Sequence, residues 1–181
     1  KGTQSQYLIE KYNLTYISTG DILRQEMADK TDLGLKAKNI IEQGGLVDNE
    51  LIVLILERKL RSLPNQNGVL FDGFPRTVLQ AYILEGLLLK LKTSLTCMLS
   101  LEVPNEELIK RLLERGKTSG RADDTLEVIE NRLREYDEKT TPVADFYKEI
   151  GKYIPINGVG KIEDIFEKLA IEIQKAIDKN N

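Results

Sequence analysis

The chain contains no histidine and no tryptophan, and only one cysteine, Cys97, among its 181 residues. Without histidine, catalysis by a Ser-His or Cys-His pair within the chain is excluded, so any chemistry rests on arginine, lysine, carboxylates, hydroxyls and backbone amides. A single cysteine excludes an intramolecular disulfide and a multi-cysteine zinc site, and it fits a reducing compartment. We expect Cys97 to lie inside an apolar strand as an inert core residue.

The sequence also lacks a long hydrophobic run and a strong charge bias. No apolar stretch approaches the roughly 18 residues of a membrane span, and no signal peptide opens the chain. The expected location is therefore the cytoplasm. Lys and Arg number 26 against 29 Asp and Glu, a net charge of −3 that argues against a non-specific nucleic-acid binder. Repeats and long linkers are missing too, so one domain over residues 1–181 is expected.

Short apolar runs alternate with longer amphipathic segments along the chain. Strands are predicted over residues 15–18, 68–71, 95–101 and 153–156, with helical periodicity between them. One predicted helix, over 124–139, opens with Asp124 and Glu127 at the spacing of a capping box. Strands separated by helices predict an α/β fold, a parallel sheet with helices on both faces. Ligands of such sheets bind at the carboxyl ends of the strands.

Two motifs near the start of the chain are candidates for phosphate binding. Lys1, Gly2 and Thr3 precede a helix, as the end of a phosphate-binding loop does, with the lysine on the outer phosphates and the hydroxyl towards Mg²⁺. Taken alone, this tripeptide is also compatible with chance, because the loop glycines are missing. After the first strand, Ser18 and Asp21 can cap a helix, but capping leaves Arg24 unexplained, free to reach over the sheet edge.

The richest motif follows the second predicted strand. Asp72 stands where P-loop enzymes order Mg²⁺ and its waters, and Gly73 permits a ligand to approach the backbone closely. Arg76 offers a bidentate contact to phosphate. Gln80, predicted in the same helical turn, offers a donor and an acceptor to the edge of a base. The alternative is a turn with one exposed arginine.

Four more arginines follow in the second half of the chain. Arg111 and Arg115 share one helix face, Arg121 lies in a glycine-containing loop, and Arg132 lies on the next helix. Scattered arginines usually form a solvated surface. Here the loop would bring these four to one cavity with Arg76, and their mutual repulsion then calls for an anion, of which a polyphosphate is the obvious candidate.

Together these strings resemble the adenylate kinases over the whole length of the chain. The resemblance rests on residues 1–4, 18–24, 45–47, 72–77 with Gln80, 111–116, 119–124 and 131–133. It implies a three-layer P-loop nucleoside monophosphate kinase fold with two mobile flaps, residues 18–47 over AMP and a short lid, 114–124, over ATP. The short lid leaves no room for the zinc-binding insert of longer-lidded relatives, so no structural zinc is expected.

The resemblance also implies an activity, reversible phosphoryl transfer between ATP and AMP to give two ADP. Mg²⁺ accompanies ATP, with Asp72 as a contact through water. The expected partners are these nucleotides, with no nucleic acid and no membrane, and the expected assembly is a monomer.

The implied residue roles fall into three groups. ATP is contacted by Lys1, Gly2, Thr3, Arg115 and Gly160. AMP is contacted by Thr19, Arg24, Gly45, Leu46, Val47, Gly73, Phe74, Pro75, Arg76, Gln80, Arg121 and Arg132. The catalytic charges are Lys1, Arg76, Arg111, Arg115, Arg121 and Arg132.

The chain departs from the family pattern before Lys1, where a strand and a Gly-x-Pro-Gly-x-Gly loop are expected. That loop supplies most of the amide donors for the β-phosphate, so the 181 residues as written are not expected to be a competent enzyme, whereas the natural protein is. Two alternatives stay open. One is a pyrimidine (UMP/CMP) kinase, disfavoured by Thr19 because such relatives tend to carry alanine there. The other is a non-catalytic nucleotide-binding fragment, supported only by the missing loop.

Overall fold

The computed structural model of the chain describes residues 2–63, 68–119 and 123–180. Over these ranges the strands are β1 (Thr15–Ser18), β2 (Val69–Asp72), β3 (Met98–Glu102) and β4 (Tyr153–Asn157). The helices are α1 (Gly2–Tyr12), α2 (Thr19–Ala28), α3 (Asp32–Glu42), α4 (Asn49–Arg61), α5 (Val78–Lys90), α6 (Asn105–Ser119), α7 (Leu126–Glu135), α8 (Thr141–Glu149) and α9 (Ile162–Asn180), with a π-helical turn, Tyr136–Thr140, between α7 and α8. Within these ranges, no helix is both long and apolar enough to cross a membrane.

The described strands form two parallel pairs. β1 pairs with β2, with Ser18 opposite Asp72, and β3 pairs with β4. Because paired parallel strands end at the same edge, the segments that follow β1 and β2 meet there. This places the start of α2 beside the turn that precedes α5.

Alternate residues of the strands pack on opposite faces, as the two-residue period of a strand requires. Leu70 of β2 packs in a cluster with Leu8 of α1, whereas the next residue, Phe71, packs in a cluster with Leu84 of α5. Leu99 of β3 belongs to the same cluster as Leu70, so the layer of α1 and α9 covers both strand pairs. The α/β architecture, with parallel strands flanked by helices, is confirmed.

The helix predicted over 124–139 is divided in the structure. α7 ends at Glu135, the π-helical turn follows, and α8, which periodicity did not predict, comes next. Pro142 in the first turn of α8 lacks an N–H, so one backbone hydrogen bond of a continuous helix cannot form there. Val143 and Tyr147 of α8 are fully buried against Ala81 of α5 and against the strands β3 and β4. Tertiary packing, which local periodicity does not contain, therefore stabilises α8.

α7 also begins differently from the prediction. Its N-cap is Thr125, whose Oγ1 accepts a hydrogen bond from the N–H of Val128 at 3.4 Å, and not Asp124. The carboxylate of Asp124 is bound instead by Arg115 of α6. The capping-box prediction was therefore wrong by one residue, because an ion pair with the preceding helix takes the carboxylate.

Cys97 precedes β3 and does not lie inside a strand as predicted, since the strand begins at Met98. Burial raises the pKa of its thiol to about 11. At neutral pH the thiol is therefore protonated and a poor nucleophile, in line with an unreactive residue.

Gly34 generates a stability prediction. A Cβ added there would lie 2.0 Å from the carbonyl oxygen of Glu26, at the closest approach of α2 and α3. Because that neighbour is backbone, Gly34→Ala should lower the free energy of unfolding by about 3 kcal/mol, measured by urea denaturation. Gly86→Ala is the matched control: Gly86 is an exposed helical residue with nothing within 4 Å of an added Cβ. This control should be neutral or stabilising by about 0.5–1 kcal/mol, and equal effects of the two changes would contradict the close contact.

Candidate active site

The turn after β2 is built around Gly73. Its φ is +80°, a conformation that glycine adopts without strain. Its carbonyl oxygen accepts hydrogen bonds from Nε of Arg76 at 2.8 Å and from Oγ1 of Thr19 at 2.9 Å. A Cβ at this position would lie 2.9 Å from Nη2 of Arg76 and 3.1 Å from Oγ1 of Thr19. The side chains of Arg76 and Thr19, two predicted site residues, therefore occupy part of the space beside Gly73 that was predicted to admit a ligand.

Arg76 is fixed at both ends of its backbone. Its N–H donates to Oε1 of Gln80 at 2.8 Å, and its carbonyl oxygen accepts from Oγ1 of Thr140 at 2.9 Å. Burial lowers the pKa of the Arg76 guanidinium, and the positive charge of nearby Arg132 lowers it further. Both arginines nevertheless stay protonated. Because Arg76 is desolvated and lies near a second cation, Arg132, binding of an anion beside them is favourable.

Contrary to the prediction, Arg76 and Gln80 do not lie in the same helical turn. Thr77 is the N-cap of α5, accepting from the N–H of Gln80 at 3.2 Å, and the helix begins at Val78. Arg76 therefore lies before the helix, and Gln80 reaches back to it. Gln80 is only 2% exposed and Arg76 is half-buried, so the alternative of a turn with one exposed arginine does not describe this motif.

One cavity borders this turn, with an empty volume of about 600 Å³ that includes space open to solvent. Its walls come from α2, the connection between α3 and α4, the turn before α5, and α7 together with Asp123, which precedes α7. The polar side chains that line it are Thr19, Arg24, Arg76, Gln80, Asp123 and Arg132. The other lining residues are Gly20, Leu23, Ile41, Gly44, Gly45, Leu46, Val47, Ile52 and Gly73. Apart from Phe74 and Pro75, the structure brings all described residues of the predicted AMP group to this cavity.

Arg24 enters the cavity wall from the first turns of α2. Ser18 caps that helix by accepting from the N–H of Asp21 at 3.2 Å, as predicted. The guanidinium of Arg24 donates to the carboxylate of Asp21. The pair restrains Arg24 at the cavity, while its remaining N–H groups leave capacity for a ligand.

Two aspartates neutralise the arginines around α7. Arg115 makes a bidentate contact with Asp124, both distances being 2.7 Å, and this hydrogen bonding raises the pKa of Arg115. Nη1 of Arg132 contacts Asp123 at 3.1 Å and Asp124 at 3.3 Å. The side chain of Asp124 is 0% exposed. These carboxylates, and not only a polyphosphate, are counter-anions of the arginines, and the adjacent acidic pair Asp123 and Asp124 was the sequence signal for them.

Arg111 has different neighbours from the other arginines. Its Nη1 donates to the carbonyl oxygen of Gly158 at 3.1 Å, and its Nε donates to Glu107 at 2.6 Å. Gly160, exposed and with φ of +127°, lies two residues beyond that carbonyl. The structure therefore places Arg111 with the segment that follows β4, and it does not line the cavity around Arg76.

The start of the chain is described only from Gly2 onwards. Gly2 and Thr3 are exposed at the N-terminus of α1, as the predicted phosphate-binding position requires. The predictions for Lys1 and Arg121 fall outside the described residues.

The connection between α3 and α4 packs directly on α7. The side-chain amide of Asn131 donates to the carbonyl oxygen of Gln43. At Gly44, with φ of +80°, a Cβ would lie 2.7 Å from Cγ of Arg132 and 2.9 Å from the carbonyl oxygen of Val128. The Asn131 contact, which its place in the motif 131–133 did not predict, brings the predicted AMP flap against the helix that carries Arg132.

Asp72 is the carboxylate that the sequence predicts to meet Mg²⁺ through water. It ends β2, and its Oδ2 accepts from the hydroxyl of Tyr16 at 2.8 Å. Burial, and then this contact, raise the pKa of Tyr16 to about 12. Among the described residues no three His, Cys, Asp or Glu side chains come together as a metal site. A single carboxylate fits Mg²⁺ held mainly by phosphates and water.

The Asp124 pairs generate a prediction on stability. Asp124→Asn removes the negative charge that Arg115 and Arg132 share, which leaves half-buried Arg115 without its bidentate partner and Arg132 with Asp123 alone. We expect the free energy of unfolding to fall by about 2–3 kcal/mol, measured by urea denaturation. The control is Asp145→Asn, which removes an ion pair of similar length to Lys148 from a carboxylate that is 68% exposed. It should change stability by less than about 0.5 kcal/mol, and a similar cost at both positions would argue against a buried network.

Comparisons with known proteins agree with this geometry. The family model described as adenylate kinase matches residues 1–152. An adenylate kinase of Parabacteroides distasonis is 53% identical over 169 residues, covering 93% of this chain and 89% of the relative. Those of Bacteroides fragilis and Flavobacterium psychrophilum are 49% and 45% identical, covering 98% and 94% of this chain and 92% and 90% of the relatives. With its parallel α/β fold and arginine-lined cavity, the chain belongs to the adenylate kinase family.

Proposed function

We propose that this protein catalyses reversible phosphoryl transfer, ATP + AMP ⇌ 2 ADP, with AMP bound in the cavity around Arg76. One observation carries the assignment of the cavity: three arginines and one buried glutamine line the same space. Arginine binds phosphate through paired N–H groups, and a primary amide matches the donor and acceptor edge of adenine. A nucleoside monophosphate presents both chemical groups in one molecule.

Arg76 binds the AMP phosphate in this proposal. Its backbone is held by Gln80 and Thr140 and its Nε by Gly73, which leaves the terminal N–H groups for the ligand. The base lies towards the apolar wall, which includes Leu23 and Val47. Preorganisation of this kind lowers the cost of orienting the nucleophile.

The chemical step needs no general base. An oxygen of the AMP phosphate, anionic at neutral pH, attacks the γ-phosphorus of ATP. The bond from that phosphorus to the bridging oxygen breaks, its electron pair stays on the β-phosphate of the departing ADP, and the AMP becomes the second ADP. Arginine charge stabilises the transferred group as negative charge shifts, so a chain without histidine can perform the reaction.

Arg132 is the described arginine best placed to follow the transferred group. Its Nη1 contacts to Asp123 and Asp124 measure 3.1 and 3.3 Å, longer than the 2.7 Å contacts of Arg115. A guanidinium has five N–H donors, so Arg132 keeps capacity for a phosphate while the aspartates hold it near Arg76. Burial is the main cause that lowers the pKa of Arg132, with Asp123 opposing it.

The ATP side of the proposal rests on the family resemblance. Lys1, Gly2, Thr3, Arg115 and Gly160 contact ATP, and Arg111 and Arg121 add charge near the phosphates. Mg²⁺ bound to the phosphates supplies charge neutralisation, with Asp72 holding one of its waters. Residues 18–47 and 114–124 close over the two substrates and exclude water. A monomer in the cytoplasm is part of the same proposal.

A substrate panel tests this function. The protein is produced from its natural gene with any residues encoded before Lys1, and ATP and Mg²⁺ are supplied with AMP, GMP, CMP or UMP. AMP should be the preferred acceptor. Equal turnover of UMP or CMP would favour the pyrimidine kinase alternative, and nucleotide binding without turnover would favour a non-catalytic module. The hydroxyl of Thr19 donates to the carbonyl oxygen of Gly73 at 2.9 Å, so its oxygen stays available to a base as an acceptor.

Arg76→Lys tests the phosphate contact. Lysine keeps the charge but loses the paired N–H groups and the contact to the Gly73 carbonyl. We expect kcat to fall on the order of 10³-fold, with the free energy of unfolding lowered by no more than about 1.5 kcal/mol. Arg61→Lys, at an exposed arginine paired with Glu57, is the matched control and should leave kcat unchanged. An unaltered kcat in Arg76→Lys would show that Arg76 is structural only.

A further inference from the structure

The amide of Gln80 is held in one orientation by contacts to both of its polar atoms. Oε1 accepts from the backbone N–H of Arg76 at 2.8 Å, and Nε2 donates to Oδ1 of Asn49 at 2.8 Å. A backbone N–H can only donate, so the oxygen of Gln80 must face Arg76. The nitrogen then necessarily faces Asn49, at the start of α4.

Thr77 and Gln80 together set the orientation of Asn49. The N–H of Gln80 donates to Oγ1 of Thr77 at 3.2 Å, which uses one of the two lone pairs of that oxygen and leaves its hydrogen to donate to another acceptor. The hydroxyl donates to Oδ1 of Asn49 at 3.2 Å. Oδ1 of Asn49 therefore receives hydrogen bonds from both Thr77 and Gln80, and a reversed Asn49 would set one NH₂ group against another.

The two contacts leave a defined edge of the Gln80 amide for a ligand. Each polar atom of a primary amide has two hydrogen-bonding sites, two lone pairs on the oxygen and two hydrogens on the nitrogen. The described contacts use one site on each, and Gln80 lines the cavity. The remaining hydrogen and lone pair are a donor beside an acceptor.

Purines differ in polarity at the matching edge. In adenine, N1 accepts and the 6-amino group donates; in a 6-oxopurine, N1–H donates and O6 accepts. A Gln80 amide rotated by 180° would fit the 6-oxopurine, but it would set NH₂ against the Arg76 N–H and Oε1 against Oδ1 of Asn49. Both mismatches are between buried or half-buried groups, where an unmet hydrogen bond is costly.

We propose that Asn49 is a positioning residue that locks the Gln80 amide against rotation and so selects a 6-aminopurine over a 6-oxopurine nucleotide. The inference rests on the proposed function, which places a purine against Gln80. Asn49 does not line the cavity and acts through Gln80 alone. Asn49 follows the Gly45–Val47 segment of the cavity wall by two residues. Its contact with Gln80 therefore connects the selection of the base to the position of that wall.

The test compares AMP with IMP, a 6-oxopurine nucleotide that differs from AMP only at position 6 and N1. Asn49→Leu keeps similar bulk and removes the acceptor. We expect it to lower the ratio of kcat/KM for AMP to that for IMP about tenfold or more, through KM, with kcat at saturating AMP changed less than about threefold. Asn49→Asp keeps an acceptor for both Thr77 and Gln80, and it should retain the wild-type ratio. Calorimetric dissociation constants for AMP and IMP should show the same pattern.

Three outcomes would overturn the inference. The ratio could stay at its wild-type value in Asn49→Leu, or it could fall equally in Asn49→Leu and Asn49→Asp, which would show that Asn49 only supports the fold. If Asn49→Leu unfolds, Asn49→Ala replaces it with the same expectation. A wild-type protein without activity on AMP overturns the proposed function and the inference together, whereas an AMP-active wild type with an unaffected ratio overturns the inference alone.

Discussion

The site depends on the two hydrogen bonds that hold the backbone of Arg76. One partner, Gln80, belongs to the first turn of α5, and the other, Thr140, ends the π-helical turn between α7 and α8. The short loop that follows β2 is thereby tied to two helices on different sides of it. A charged side chain on such a loop would otherwise lose much of its binding energy to ordering. Here the fold already orders the loop, so binding does not lose free energy to ordering it.

The charges around the cavity are also arranged before a ligand binds. The arginines that line or border it are close enough to depress one another's proton affinity, yet Asp123 and Asp124 lie among them. Asp124, with no exposed side-chain surface, binds Arg115 tightly and Arg132 loosely. The carboxylates thus hold the cationic side chains in place before a nucleotide arrives, without occupying all of their N–H groups.

Local sequence was sufficient for most of the architecture and for most of the cavity lining. The apolar runs gave the strands, and the string from Asp72 to Gln80 located the turn that carries Arg76. The misses share one physical cause, since each depends on a partner in another element of the fold. α8 is stabilised by burial against α5, β3 and β4, and Asp124 is drawn from its predicted cap by Arg115. Thr140 and Asn49 act through contacts that span 64 and 31 positions.

The contact between Asn131 and Gln43 is made to a main-chain oxygen, whereas its neighbour Gly44 meets α7 with no room for a side chain. The two adjacent positions are therefore constrained in different ways. Position 43 is chemically permissive, because residues that leave its carbonyl in place preserve the contact. Position 44 is sterically closed, since both its positive φ and the 2.7 Å approach to Arg132 exclude a Cβ. Substitutions at residue 43 are thus compatible with this contact, whereas any residue other than glycine at position 44 would strain the backbone and displace Arg132.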